Sequence, residues 1–349
     1  LRQLQVGTQT QSLIGDKIIE QFTNSFDESV ILNHLTRTHK LSLKLTDIVE
    51  FLKELAEQSY ENKSLSFGIL IDKKKSSLKH NEDKYFPKDF LKEKKFKAFT
   101  DGYRSAILID STGRIKELVD LEKFSVQSYK GEHYYPHWSK NLSLSSIKNI
   151  IGFGLTRQGD ILFFENGSLR FTRRFGNWQY WNHSYIIEIL KSKARRRHVQ
   201  PTILGKVVAK LYKYALDISF RHSGALFVIM RNQTSLPYIL RDGDGIYDVE
   251  RDTLHREFEK FLVNKSILGL DKNVIIELAS IDGAVIFSNN GYLLAYGAVL
   301  TPKKKTGVQS EQGSRSKAAI GASHYGLSIK ISSDGGISIF DDGKKFIEV

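Results

Sequence analysis

The fold is decided by a stretch that reads Ile275-Ile276-Glu277-Leu278-Ala279-Ser280-Ile281-Asp282-Gly283-Ala284-Val285-Ile286-Phe287, then Gly291-Tyr292-Leu293-Leu294-Ala295-Tyr296-Gly297, then Gly313-Ser314-Arg315-Ser316-Lys317-Ala318-Ala319-Ile320-Gly321, and closes with a hairpin by Phe340. The apolar runs Val285–Phe287 and Leu293–Tyr296 flank Ser288-Asn289-Asn290-Gly291. Asn-Gly between two strand-like runs is a strong signal for a tight turn. We therefore predict a β-hairpin here.

Two short motifs in this stretch indicate a site for an anionic ligand. Asp282-Gly283-Ala284 places a carboxylate before two small residues, which leave the backbone open to close approach by a ligand. Gly313–Lys317 supplies a flexible glycine, two hydroxyls and two cations just before the small-residue helix Ala318–Ala322. Free N–H groups and the helix dipole both favour an anion at such a helix start. The second motif therefore predicts a phosphate site.

The same residues also have structural interpretations. Asp282 is compatible with a carboxylate that caps backbone groups at the end of a hairpin, and Arg315 and Lys317 are compatible with a solvated loop. The joint occurrence of the motifs, in order, favours the site.

The two motifs resemble the catalytic domain of bacterial diadenylate cyclases, which join two ATP molecules into cyclic di-AMP. That family carries Asp-Gly-Ala and, farther along, Gly-Thr-Arg-His-Arg-Ala-Ala. Asp282-Gly283-Ala284 matches the first motif, and Gly313–Ala319 matches the second with Ser316 at the central His and Lys317 at the second Arg. The resemblance extends back to about Ile203, so it covers less than half of the chain.

The resemblance implies a mixed α/β fold for residues 200–349, with a central mixed sheet and helices on both faces. It implies a nucleotidyltransferase that joins nucleoside triphosphates, ATP or another NTP or dNTP, into a cyclic or linear dinucleotide second messenger for bacterial stress or antiviral signalling. In the family the reaction occurs between two facing protomers, so we expect a homo-oligomer. An effector protein that responds to the product is a further expected partner.

The resemblance also implies roles for individual residues. Asp282, Arg315 and Lys317 are expected to be catalytic, with Asp282 holding Mg²⁺ or Mn²⁺ and the two cations holding the triphosphate. The remaining expected nucleotide contacts are Gly283, Ala284, Gly313, Ser314 and Ser316.

Two departures from the family pattern support an alternative. Ile281 stands where the family often has His before Asp-Gly-Ala, and His324 follows Gly321-Ala322-Ser323 where the family often has Glu. The alternative is a catalytically inactive nucleotide-sensing protein of the same fold.

Composition bounds the remaining possibilities. The 349 residues carry a net charge of +13, with a pI near 9.5, which favours anionic partners such as nucleotides or nucleic acid. A generally basic surface explains the same charge, and a nucleic-acid-binding module is a third hypothesis. The absence of cysteine excludes disulfides and thiolate metal sites and fits a cytoplasmic protein. Apolar runs fall short of the roughly 20 residues of a membrane helix, so we expect no membrane partner.

We predict three segments: residues 1–60 as a helical segment, 61–195 as an accessory α+β domain rich in antiparallel hairpins, and 200–349 as the nucleotide-binding domain. The N-terminal part is predicted to contain helices at 13–26, 45–59 and 185–190, strands at 67–72, 105–110 and 115–119, and a hairpin at 161–164 and 169–172. The C-terminal part is predicted to contain helices at 203–218 and 254–262 and strands at 224–230 and 236–240.

Other charged or aromatic segments each have two interpretations. Residues 73–97 are a solvated loop or a nucleic-acid contact, and 195–198 are a linker or a nucleic-acid contact. Residues 132–138, with His133 and His137, are a packed aromatic loop or a metal site. Residues 173–181 are a packing cluster or a base and phosphate contact. A calcium loop at Asp242, Asp244 and Asp248 is rejected because the glutamate in its last position is absent.

Overall fold

The computed structural model describes residues 27–75, 85–87, 99–125, 132–194, 200–241, 244, 260–262, 264–301 and 313–349. The chain divides into two compact units, Leu1–Asn182 and His183–Val349. The predicted mixed α/β class is confirmed. Three segments were predicted, 1–60, 61–195 and 200–349, whereas the first two fall within one unit up to Asn182 and the helix His183–Ala194 groups with the C-terminal unit.

The N-terminal unit is built on a seven-stranded sheet with the order β5-β4-β3-β6-β7-β8-β9. Strands β3 and β4 are parallel, and the other neighbouring pairs are antiparallel. A short separate hairpin, β1–β2, precedes it. The strands are β1 (Ser59–Tyr60), β2 (Lys63–Ser64), β3 (Phe67–Asp72), β4 (Ser105–Ile109), β5 (Ile115–Asp120), β6 (Ile150–Leu155), β7 (Ile161–Glu165), β8 (Ser168–Arg174) and β9 (Asn177–Tyr180).

Helices cover this sheet. The helices are α1 (Glu28–Thr38), α2 (Leu45–Ala56), α3 (Leu121–Phe124) and α4 (Lys140–Ser145), the last preceded by a 3₁₀ turn at His137–Ser139. The apolar stripe of α2, which includes Ile48, Phe51 and Leu52, shares one buried core with the sheet residues Phe67 and Phe153. The predicted helix at 45–59 thus corresponds to α2, whose apolar face is buried against the sheet.

The C-terminal unit is built on a six-stranded mixed sheet with the order β12-β11-β10-β13-β14-β15. Strands β10 and β11 are parallel, and the other neighbouring pairs are antiparallel. The predicted hairpin around Asn290-Gly291 is confirmed as β11–β12. The strands are β10 (Ala225–Met230), β11 (Ala284–Phe287), β12 (Leu293–Ala298), β13 (Gly326–Ile331), β14 (Ile337–Asp341) and β15 (Lys344–Glu348).

In the described part of this unit, the helices beside the sheet are α5 (His183–Ala194), α6 (Pro201–Ser219), α7 (Lys272–Ser280) and α8 (Ser314–Ser323). Leu226 and Val228 of β10 share a core cluster with Ala319 and Ala322 of α8. Alternate β10 residues point to the opposite face because side chains alternate along a strand. The small side chains of α8 let this helix lie close to the sheet.

One predicted strand is wrong. Residues 236–240 belong mainly to a 3₁₀ helix, Gln233–Tyr238, and only Leu240 forms an isolated bridge, with Leu300. Pro237 cannot donate a ladder hydrogen bond, and the Asn232 side chain accepts from the Thr234 N–H to start the turn. These local preferences outweigh the apolar residues that suggested a strand.

Several predictions fall outside the described residues. These are the helix at 13–26, most of the loop 73–97, the linker 195–198, most of the helix at 254–262, and the rejected calcium loop at 242–248. They stay predictions.

The backbone before β11 crosses the backbone at the end of β12 very closely. Gly283 has a φ of +118°, and a methyl group placed on it would lie 2.7 Å from the amide nitrogen of Ala298. Gly297 has a φ of +56°, and a methyl group placed on it would lie 2.9 Å from Cγ2 of Ile281. Side chains other than hydrogen do not fit this crossing, so Gly283 is required by the chain's own packing.

We predict that Gly283→Ala lowers the stability of the C-terminal unit by about 3–5 kcal/mol, because left-handed strain and steric overlap add. The measurement is the denaturant midpoint of the unit that carries the substitution. Gly176→Ala, in the N-terminal unit, is the control, since Gly176 has a φ of +83° but open space around its α-carbon. Gly176→Ala is expected to lower the free energy of unfolding by only about 1–2 kcal/mol. Equal losses in the two variants would contradict the crossing.

Candidate functional site

The site lies at the end of the C-terminal sheet where β10 and β11 begin. Asp282 precedes β11, Gly224 precedes β10, and the N-terminus of α8 reaches the same end. The Asp282 side chain is 98% exposed, because the turn at Gly283 holds it away from the sheet. The carboxylate is thus presented at the surface by a rigid crossing.

Asp282 and Arg315 are in direct contact. Arg315 Nη2 donates a hydrogen bond to Asp282 Oδ1, with 3.2 Å between the nitrogen and the oxygen. The same Oδ1 accepts from the N–H of Gly283 at 3.2 Å. The structure therefore brings together the two residues that the sequence analysis placed at the centre of the site, although 32 other residues separate them in the chain.

Arg315 also lies over Gly224. A methyl group on Gly224 would overlap Nη1 of Arg315, so the missing side chain makes room for the guanidinium. The Nε atom of Arg315 is buried and has no hydrogen-bond partner among the described residues. The Nε donor therefore has no protein hydrogen bond to lose if the guanidinium turns toward an anionic ligand.

The first turn of α8 supplies backbone donors. Gly313 is its N-cap, and Gly313 O accepts from the amides of Ser316 and Lys317 at 2.9 and 3.2 Å. Within the described helix, the first turn has no acidic residue and the N-cap has no capping side chain. The partial positive charge of the helix start is therefore not neutralised locally.

Lys330 is a cation that the sequence analysis missed. It lies on β13, and its Nζ donates to Ser316 Oγ at 2.9 Å. Its position in a strand of mostly apolar residues (Gly326-Leu327-Ser328-Ile329-Lys330-Ile331) was the available signal. With Arg315 and the exposed Lys317, it gives the helix start three neighbouring cationic side chains.

The remaining predicted contacts differ in accessibility. Gly313 and Ser314 are exposed, and Ser316 is half-buried beside Lys330. Ala284 is fully buried in the sheet core, so its side chain does not face solvent. Gly283 is pressed against the backbone of β12. These two small residues position Asp282, and their predicted contact with a nucleotide stays a prediction.

His324, which departs from the family pattern, lies at the other end of α8. It follows the last helical residue, so about 15 Å of helix separates it from the first turn. Its Nδ1 is 3.4 Å from Asp342 Oδ1, and its carbonyl accepts from Arg231. His324 therefore does not join Asp282 and Arg315 within one chain.

Among the described residues of this site, Asp282 is the carboxylate that a metal ion could use. The described residues contain no group of three or more His, Asp or Glu side chains arranged to hold a metal ion. A single exposed carboxylate combined with substrate phosphates is a common arrangement for Mg²⁺. Asp282 fits this arrangement.

Two N-terminal segments with a possible binding role, residues 132–138 and 173–181, pack within their own unit. Tyr134 donates its hydroxyl to Glu132, and its amide bonds to Ser168, which agrees with a packed loop. Trp178 and Trp181 are buried and donate to Glu28 and Thr172, so their rings are not available for stacking on a base.

In the parts of the chain that the structure describes, every helix is too short or too polar to cross a bilayer.

Comparisons with known proteins give little more. No protein-family model matches this sequence, and no curated protein matches it. A structural-genomics structure of a hypothetical membrane spanning protein from Bacillus cereus aligns with a TM-score of 0.30 and 20% identity, over 47% of this chain and 74% of that one. A double cysteine mutant of DacA from Staphylococcus aureus aligns with a TM-score of 0.28 and 20% identity, over 40% and 84%. TM-scores this low establish neither a shared fold nor a shared function.

We predict that Gly224→Ala weakens binding of inorganic triphosphate about tenfold, because the added methyl group displaces the guanidinium of Arg315 and removes charge-assisted hydrogen bonds. Isothermal titration calorimetry measures this. The backbone at Gly224 does not need a positive φ, so the fold is expected to stay intact. Gly269→Ala is the control, since a methyl group there meets only an ordinary contact at 3.8 Å. Unchanged affinity in Gly224→Ala would rule out Arg315 as a ligand for the anion.

Proposed function

We propose that the C-terminal unit is a nucleotidyltransferase that joins two nucleoside triphosphates into a dinucleotide signal. The observation that carries the proposal is the contact between Asp282 and Arg315 at the open N-terminus of α8. A carboxylate next to a cationic helix start is the combination that a triphosphate and its metal ion require. The resemblance to diadenylate cyclases supports the same reaction.

The reaction replaces one phosphorus–oxygen bond by another. The 3′-hydroxyl oxygen of one nucleotide bonds to the α-phosphorus of the other, the bond from that phosphorus to the bridging oxygen breaks, and pyrophosphate leaves. The hydroxyl proton passes to solvent. Mg²⁺ or Mn²⁺, when bound, would supply charge neutralisation of the phosphates and acidification of the attacking hydroxyl. Asp282 is the residue that would hold it.

The protein groups act by positioning and by electrostatics. Arg315 exchanges Asp282 Oδ1 for phosphate oxygens when the nucleotide binds, and its unpartnered Nε adds a donor. The first amides of α8 donate to the same phosphates. Lys330 holds Ser316 and adds positive charge from the sheet side, while Lys317 adds a flexible charge from solvent. These groups stabilise negative charge that develops on the leaving pyrophosphate.

The alternative is a nucleotide sensor on the same site. It is favoured by the direct bond between Asp282 and Arg315, which uses the carboxylate for a protein contact. The site residues that bind phosphates would then serve recognition alone. A role in stress or antiviral signalling and an effector protein stay predictions from the resemblance, and a cytoplasmic location stays a prediction from the absence of cysteine.

We predict that the purified protein converts an NTP or dNTP into a dinucleotide with Mg²⁺ or Mn²⁺ present, and that Asp282→Asn lowers the rate about 100-fold or more, since the metal ligand is lost. Mass spectrometry of reactions with each nucleotide measures product. Glu277→Gln, which removes an exposed acid from the preceding helix, is the control and is expected to keep the wild-type rate.

The outcomes separate the two functions. Product from wild-type protein but an unchanged rate in Asp282→Asn would exclude the assigned role of Asp282. Tight nucleotide binding without product would favour the sensor. Absence of binding for every nucleotide would exclude both.

A further inference from the structure

The two units have sheets of the same topology. Six strands correspond in order, β5-β4-β3-β6-β7-β8 in the N-terminal sheet and β12-β11-β10-β13-β14-β15 in the C-terminal sheet. In each, the strand that comes first in the sequence pairs in parallel with the next strand and antiparallel with the fourth. Each sheet is preceded by a pair of helices in contact, α1 with α2 and α5 with α6.

The strand registers also match residue for residue. From β6 to β8 and from β13 to β15, the numbers of corresponding residues differ by one constant value. Both final hairpins have a register shift at the same place, after Phe163 and after Ile339. Three cross-strand pairs illustrate the match. Phe153 opposite Phe163 corresponds to Ile329 opposite Ile339, and Phe163 opposite Phe171 corresponds to Ile339 opposite Ile347. Ile109 opposite Ile115 corresponds to Phe287 opposite Leu293.

The turns repeat with the same backbone conformation. The N–H of Gly113 donates to Asp110 O at 3.0 Å, and that of Gly291 donates to Ser288 O at 2.9 Å. These glycines have φ values of +88° and +84°. The later hairpins turn through Asn166-Gly167, with φ of 51° and 72°, and Asp342-Gly343, with φ of 48° and 77°.

A cation at the end of the first strand makes the same contacts in both units. Lys73 pairs with Glu165 at 4.0 Å, and Arg231 pairs with Asp341. Lys73 Nζ donates to the carbonyl of Lys148 at 3.4 Å, and Arg231 Nη1 donates to that of His324 at 3.1 Å. The backbone amides of the two cations also correspond, with acceptors Asn149 O and Tyr325 O at 2.8 and 2.9 Å. Agreement in topology, register, turns and side-chain contacts is far more than a shared fold class requires.

The site residues are the part that does not repeat. The hairpin register places Arg104 where the C-terminal unit has Asp282, and the β6 register places Gly154 where it has Lys330. The constant difference in residue number between β6 and β13, continued toward the N-terminus of each strand, places Ser139 at the position of Arg315. Ser139 is fully buried and its hydroxyl donates to Pro136 O at 2.7 Å. The carboxylate and two of the cations are thus replaced by residues that cannot take their roles.

We propose that the chain is a tandem duplication of one α/β unit in which only the C-terminal copy binds a nucleoside triphosphate. The identity of the ligand rests on the proposed function. The N-terminal copy keeps the sheet and its turns but has Arg104, Ser139 and Gly154 at the positions of Asp282, Arg315 and Lys330, so each chain supplies one nucleotide site.

The test measures how many nucleotides bind to each full-length chain. Equilibrium dialysis with a non-hydrolysable ATP analogue and Mg²⁺ is expected to give one per wild-type chain and none for the double variant Asp282→Asn, Arg315→Ala. The N-terminal control variant, Arg104→Ala and Lys140→Ala, removes the exposed side chain that corresponds to Asp282 and the exposed cation next to Ser139, and it is expected to keep one nucleotide per chain.

The outcomes of this test are distinguishable. Two nucleotides per chain, one of which survives in the Asp282 and Arg315 variant, would overturn the single-site inference and leave the proposed function standing. If no nucleotide, ATP or any other, binds the wild-type chain, the proposed function falls and the single-site inference falls with it.

Discussion

The candidate site depends on one close crossing of the backbone, where Gly283 passes over Gly297 and Ala298. The crossing turns the chain sharply out of α7 and into β11, and it leaves Asp282 at the surface end of a fully buried strand. Backbone packed against backbone has few alternative arrangements, so the carboxylate is held by a rigid base. Glycine is needed at this point for a reason internal to the fold, in addition to any advantage for a ligand.

The second constraint is electrostatic. Arg315 lies in the space left by Gly224 and contacts Asp282, while Lys330 contacts Ser316 from the sheet. Three cations around a helix start would repel one another if nothing negative lay between them, and Asp282 offsets part of that repulsion. The pair is exposed to solvent, so its contribution to stability is small and the arginine can exchange partners. This balance suits a group that must bind an anion and release it.

The duplicated architecture explains why the described residues of the N-terminal unit repeat the fold of the C-terminal unit without repeating its charged site. The N-terminal unit keeps the strand registers, the glycine turns and the pair of Lys73 with Glu165, all of which define the sheet. It differs at positions 104, 139 and 154, which correspond to the charged positions of the other unit. Residues that hold a fold are constrained by packing in every copy, whereas residues that hold a ligand are constrained only where the ligand binds.

The sequence by itself determined the local elements and the two site motifs. Hairpins at Asn166-Gly167 and Asn290-Gly291, the helix at 203–218 and the strand at 67–72 follow from turn chemistry and hydrophobic periodicity, which act over a few residues. The sequence also identified Asp282 and Arg315. Only the tertiary structure decided that these two meet, that Lys330 joins them, that residues 236–240 turn as a 3₁₀ helix, and that the two sheets repeat one another. Strand order and side-chain meetings depend on contacts between distant residues, and local patterns carry no information about those contacts. The repeat is hard to see in the sequence because a buried strand accepts many apolar residues, so shared packing leaves little shared identity.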